Sequence, residues 1–261
     1  MIVTRAARQA TARIAMALLT WLHTGLSTAF SRAGIRGFIL MALDQTSLRK
    51  LLKLMFLPVR ERRSELRKNI REEMSRLTGI DVGGGDFYGP FWADAKAHVF
   101  GALDLHDAVD ARIAVNGRRV NLYGRLRDGF LLWWTERRRW TNEPFRQGGT
   151  LKTRFRFPGL EATVKIDNIL SVKDGNDGHY AVYPYFAPDP ALSEEAASLG
   201  LWLLAEAFPN IPPNEFRILD IIRGRTFSLD RIALRGDEGE NFRRRFSQLM
   251  SEWDTLKGEY E

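Results

Sequence analysis

The run from Glu161 to Arg223 constrains this chain more than any other stretch. Ala162, Val164, Ile166, Leu170 and Val172 fall on one face of an extended segment. Thr163, Lys165, Asp167, Ser171 and Lys173 fall on the other, and Asn168 and Ile169 break the alternation. Lys173-Asp174-Gly175-Asn176-Asp177-Gly178 is hairpin-turn chemistry, because Gly and Asn accept positive φ. The return strand, His179 to Phe186, is apolar or aromatic on both sides, as a strand inside a sheet must be. Ser193 then caps a helix whose first turn carries Glu194 and Glu195. From Ala196 to Phe208 only Ser198 and Glu206 are polar, so that helix must pack deep against the sheet. Pro209, Pro212 and Pro213 end it, and Phe216 to Ile222 forms a further strand holding Asp220, with Thr226–Leu229 continuing it past Gly224.

The 261 residues suffice for a large core, and 44% hydrophobic with 27% charged residues is globular composition. Cys is absent, which excludes disulfides, a thiol nucleophile and thiolate metal sites. The four histidines (His23, His98, His106 and His179) show no helical metal-pair spacing, and each reads as a surface or core residue. Gly-x-Ser-x-Gly, Walker-type and Gly-x-Gly-x-x-Gly motifs are missing. The net charge of +7 is unevenly spread: residues 1–80 carry +10 and residues 81–261 carry −3. A basic total therefore does not make the main domain basic.

Residues 1–40 contain five arginines and no acid. Their apolar run, Ile14 to Leu22, is about half the ~20 residues that span a bilayer. It fits a targeting signal, an amphipathic surface helix, or a chain start that belongs at Met41. The expected location is cytoplasmic, or exported or membrane-associated if that segment is a signal. Residues 41–82 read as a charged helical arm, with Leu48, Leu51, Leu52, Met55 and Phe56 on one helix stripe, and Leu66, Ile70, Met74 and Leu77 on the next. The second helix mixes Arg62, Arg63, Arg67 and Lys68 with Glu61, Glu65, Glu72 and Glu73. That is either a solvated face laced with ion pairs or a phosphate-facing arm. Gly83-Gly84-Gly85 marks a linker, and 86–261 an α+β domain.

Within it, Pro90 opens a short helix and Asp104 caps another ending near Asn116-Gly117. A long amphipathic helix spans Arg118 to Arg139, with Gly124 and Gly129 as weak points. Trp133, Trp134 and Trp140 flank Arg137, Arg138 and Arg139; such a group either stacks and neutralises a nucleic-acid strand or serves packing and the helix dipole. Leu151 to Pro158 alternates as a strand with a basic face, and a last amphipathic helix carries Phe242, Phe246, Leu249, Trp253 and Leu256. The fold class is α+β, a mixed sheet of about four or five strands flanked by helices, with a helical N-terminal arm.

Helix, strand, strand–turn–strand, buried helix, strand resembles the αβββαβ core of PD-(D/E)XK nucleases of the RecB and Cas4 type, over residues 118–229. The resemblance implies a metal-binding Asp on the second core strand, which Asp167 matches. It also implies an acid-X-Lys tripeptide on the third, which here reads Tyr183-Pro184-Tyr185. Glu161, Lys165 and Asp220 are the residues that could replace the missing ligands of a Mg²⁺ site. The reading that follows is a non-catalytic binding or interaction protein on a degenerate nuclease-like scaffold. Its expected partner is nucleic acid, through Arg62, Arg63, Arg67, Lys68, Arg137, Arg138 and Arg139, or another protein. The alternatives are an active Mg²⁺-dependent nuclease with relocated ligands, and a membrane-associated or exported protein.

Overall fold

The central strand is the one the sequence marks as buried on both sides. In a computed structural model describing residues 45–78 and 87–260, β6 (His179–Tyr185) is hydrogen-bonded between two neighbours. The targeting and start-site readings of residues 1–40 and the Gly83–Gly85 linker lie outside the described residues. On one side β6 pairs antiparallel with β5 (Leu170–Lys173), which in turn pairs with the short β2 (Arg146–Gln147). On the other it pairs parallel with β7 (Phe216–Asp220), which folds back into β8 (Arg225–Ser228). The parallel pair needs a crossover, and the apolar helix α6 (Glu194–Ala207) supplies it. Ser193 caps α6 by accepting from the Ala196 amide, as its position before two glutamates predicts. The class is α+β: among the described residues, seven helices, this five-stranded mixed sheet and a three-stranded sheet.

The alternation of β6 divides the interior in two. Ala181, Tyr183 and Tyr185 enter a core built with α1 (Leu48–Phe56), α2 (Val59–Leu77), α6 and α7 (Glu238–Lys257). Val182 and Phe186 enter a second core with α3 (Tyr88–Val99), α4 (Leu105–Val115) and α5 (Val120–Leu131). Gly200 lets α6 approach the sheet: a Cβ there would lie 2.5 Å from Ile218 Cδ1. Asp104 caps α4 through the His106 and Asp107 amides, as expected.

Three expectations need correction. Residues 162–173 are two strands in different sheets. Asn168 adopts φ 62°, bending the chain from β4 (Thr163–Ile166) into β5 at the point where the alternation breaks. β4 lies between β3 (Thr153–Arg156) and β1 (Gln45–Ser47). Thr226–Leu229 does not prolong β7 either: Gly224, at φ 55°, reverses the chain into the antiparallel β8. The helices assigned to a separate arm are built into the domain. β1 pairs with β4, Leu48, Leu51, Leu52 and Leu54 are fully buried, and α2 lies on α7. No helix among the described residues is long and apolar enough to cross a membrane.

Candidate functional site: an arginine cleft beside a tyrosine-filled core

The resemblance to a nuclease directs attention first to Tyr183 and Tyr185. Both are buried, and burial pushes both phenols far above their ordinary range. The Tyr183 hydroxyl accepts a hydrogen bond of 2.9 Å from the Arg49 amide. That amide is one of the orphan donors in the first turn of α1, and Ser47, at the N-cap, offers it no side chain. The Tyr185 hydroxyl donates to the Pro190 carbonyl at 2.8 Å. Where the resemblance places an acid and a lysine, two neutral phenols tie a helix start and a loop to the sheet.

The other candidate ligands do not gather. Asp167 is half-buried at the β4–β5 bend and lines a cavity with Lys96, whose ammonium pKa is lowered by burial against an opposing pull from Asp167. Asp220, 1% exposed, accepts from the Leu192 amide at 3.2 Å and pairs with Arg223 at 3.1 Å. Glu161 is exposed and pairs with Arg156. Lys165 belongs to β4 in the other sheet. Among the described residues no group of three His, Asp or Glu side chains could hold a metal ion.

The basic candidates divide. On α2, Arg62 donates to Glu252 of α7 at 2.8 Å, and Arg63 lies 3.8 Å from the same carboxylate. Arg67 meets Glu259 through two nitrogens, and Lys68 stands 4.0 Å from Glu72. These cations fasten α2 to α7, to the chain just past its end, or to its own helix. The second group is arranged otherwise. α5 runs on into a π turn, Leu132–Arg137, closed by the Arg138 amide donating to the Trp133 carbonyl at 2.8 Å. Beyond it the chain is extended, so Arg138 turns inward while Arg137 and Arg139 stay exposed. The Arg138 guanidinium lies 3.9 Å from the Trp134 ring centroid and 4.4 Å from that of Phe145. Trp133, Trp134 and Trp140 pack edge to face around it. The three tryptophans are therefore core, and Arg138 is half-buried among them.

Arg137 and Arg139 instead meet two arginines that sequence reasoning did not single out. The β7–β8 turn presses against α5: a Cβ on Gly129 would lie 2.1 Å from the Ile221 carbonyl oxygen, and one on Gly224 2.6 Å from that of Gly129. Arg137 donates to the carbonyls of Arg223 and Gly224, fastening the turn. Across this contact lies a cleft of about 330 Å³, lined by Arg137, Arg139, Gly224, Arg225, Thr226 and Arg231. All four arginines are exposed, and no acid lines the cleft. Arg225 pairs outward with Glu194 at 3.1 Å, whereas the Arg139 and Arg231 guanidinium groups make no ion pair within 4 Å among the described residues. The Thr226 hydroxyl is buried without a partner among the described residues. The signal for Arg225 and Arg231 was faint, since nothing in the local pattern says that the turn after β7 docks beside residue 137. No family model, curated protein or solved structure matches the chain.

Proposed function

We propose that the protein binds nucleic acid through the phosphate backbone and does not cleave it, the nuclease-like core acting as a scaffold. The observation that carries this reading is the cleft of four exposed arginines without an acid. Guanidinium groups present planar pairs of donors that match phosphate oxygens, and several together recognise an anion of repeated charge. Support for the scaffold comes from the antiparallel β5–β6 pair joined by a parallel β6–α6–β7 crossover, with α5 across one face. Support for the absence of cleavage comes from the tyrosines: a hard divalent cation takes several oxygen ligands of which some are anionic, and Tyr183 and Tyr185 offer none.

The test is fluorescence anisotropy with labelled single- and double-stranded oligonucleotides. Wild type is expected to bind, and Arg139→Glu/Arg231→Glu to lose roughly tenfold or more, since each charge-assisted contact is worth about 1.5–3 kcal/mol. Arg62→Glu is expected to weaken folding rather than binding. Incubation of the same oligonucleotides with Mg²⁺ or Mn²⁺ is expected to leave them intact, and cleavage abolished by Asp167→Ala establishes the nuclease instead.

A further inference from the structure

On the β5–β6 strand pair, three side chains form a hydrogen-bonded chain. The Ser171 hydroxyl lies 2.8 Å from His179 Nε2, and His179 Nδ1 lies 2.5 Å from a Glu215 carboxylate oxygen. The sheet register builds this. Ser171 stands opposite Ala181 and Lys173 opposite His179, so Ser171 and His179 are diagonal neighbours on one face. The 3-10 turn Pro213–Glu215 leads into β7, whose Phe216 also pairs with Ala181, and this delivers Glu215 to the same end of the sheet. A carboxylate only accepts hydrogen bonds, so it holds the proton on Nδ1 and leaves Nε2 to accept from the serine hydroxyl. That is the order of a nucleophile, its base and the group that orients the base.

Two further observations set this chain of bonds apart from a satisfied core histidine. Ser171 lines a cavity of about 510 Å³, together with Gly148, Gly149, Ile169, Leu170 and Lys96. Gly148 lies over the hydroxyl: a Cβ there would stand 2.1 Å from Ser171 Oγ and 3.3 Å from His179 Nε2, so any side chain would cover the serine. Gly149 and Thr150 line the same cavity, and their backbone N–H groups donate to nothing among the described residues. Backbone amides without a partner are available to an oxyanion formed beside Ser171.

We propose that Ser171, His179 and Glu215 hydrolyse a short-chain carboxylic ester bound in this cavity. Ser171 Oγ bonds to the ester carbonyl carbon as His179 Nε2 takes its proton. The tetrahedral adduct collapses, the carbon–alkoxy bond breaks, and the alcohol leaves with the proton from Nε2. Water then attacks the acyl-serine, giving its proton to Nε2, and the carboxylic acid departs as Ser171 recovers its hydrogen. The balance is ester plus water to acid plus alcohol, with no oxidant, metal or cofactor consumed. Ser171 and His179 are the catalytic residues and Glu215 positions His179. The cavity shares no lining residue with the arginine cleft, so the two sites are tested separately.

The experiment uses the full chain, p-nitrophenyl acetate and butyrate as substrates, and a fluorophosphonate probe. Labelling is expected at Ser171 by peptide mass spectrometry, and hydrolysis is expected to fall at least 100-fold in Ser171→Ala and His179→Ala. Glu215→Gln is expected to lower kcat with little change in KM, a split that a loss of packing does not produce. Because the chain has no cysteine, Ser171→Cys supplies a single thiol whose alkylation by iodoacetamide can be followed against pH. Pairing with His179 is expected to bring its pKa below the ordinary ~8.5, and His179→Ala to restore that value. No labelling at Ser171, hydrolysis equal in wild type and Ser171→Ala, or a thiol that titrates near 8.5 in both backgrounds overturns the proposal.

Discussion

Gly129 and Gly124 occupy the same helix and read alike in the sequence, yet their surroundings assign them opposite roles. A Cβ on Gly129 meets two carbonyl oxygens of the β7–β8 turn, while one on Gly124 meets nothing within 4 Å. Gly124→Ala is therefore expected to stabilise the fold by about 0.5–1 kcal/mol through helix propensity. Gly129→Ala is expected to destabilise it by about 1–3 kcal/mol or more through overpacking, and to push the turn away from Arg137. Urea denaturation of the two variants checks both signs. Asp174 supplies a pH prediction. Burial pushes its carboxyl up, but the Gly178 and Asn176 amides, with Asn142 and Tyr180, outweigh burial and hold it below the usual range. A depressed carboxyl stabilises the fold above its unfolded pKa, ~3.9, and that contribution is lost as pH falls through the folded value. The stability gap between wild type and Asp174→Asn is thus expected to be constant near neutrality and to close below about pH 4.

At the scale of elements, what local pattern determines was legible and what distant pairing determines was not. Asp104 and Ser193 cap their helices as their sequence neighbours predict, and the Asp174–Gly178 turn and the doubly buried β6 follow from composition alone. The bend at Asn168 showed only as an interrupted alternation, because which sheet each half joins depends on partners at residues 45–47 and 179–185. The same reason hides the role of α1. Its apolar stripe is equally good for a free arm and for a core helix until β1 pairs with β4. Leu52 lies beside Gly200 of α6 and is fully buried, so Leu52→Ala is expected to cost about 2–5 kcal/mol in urea denaturation. A change under about 0.5 kcal/mol, the usual surface value, contradicts the placement of α1 in the core. The ion pairs between α2 and α7 likewise turn a charge pattern that suits phosphate into an internal fastening.

For the molecule as a whole, the split into two cores places the candidate surfaces. β6 and its neighbours carry packing on both faces, and the arginine cleft lies at a margin where a helix end and a turn meet. One margin, at the β7–β8 turn, gathers Arg137, Arg139, Arg225 and Arg231 from segments more than 80 residues apart in sequence. Half of that set was legible as a basic run beside tryptophans, and half was not, because it depends on a glycine-permitted contact. Net charge was a poor guide in the other direction, since Arg62, Arg63 and Arg67 of α2 are met by Glu252 and Glu259, and Lys68 by Glu72.

The central claim is that this cleft holds a phosphate backbone, and the salt dependence of oligonucleotide affinity tests it most directly. Each phosphate neutralised contributes about 0.7–0.9 to the slope of log K against log salt. Wild type is predicted to show a slope of about −3 between 50 and 200 mM salt if all four arginines engage. Replacing Arg139 and Arg231 by Ala is predicted to reduce its magnitude by about 2. An affinity that does not change with salt, or a slope the same in wild type and the double variant, contradicts the account.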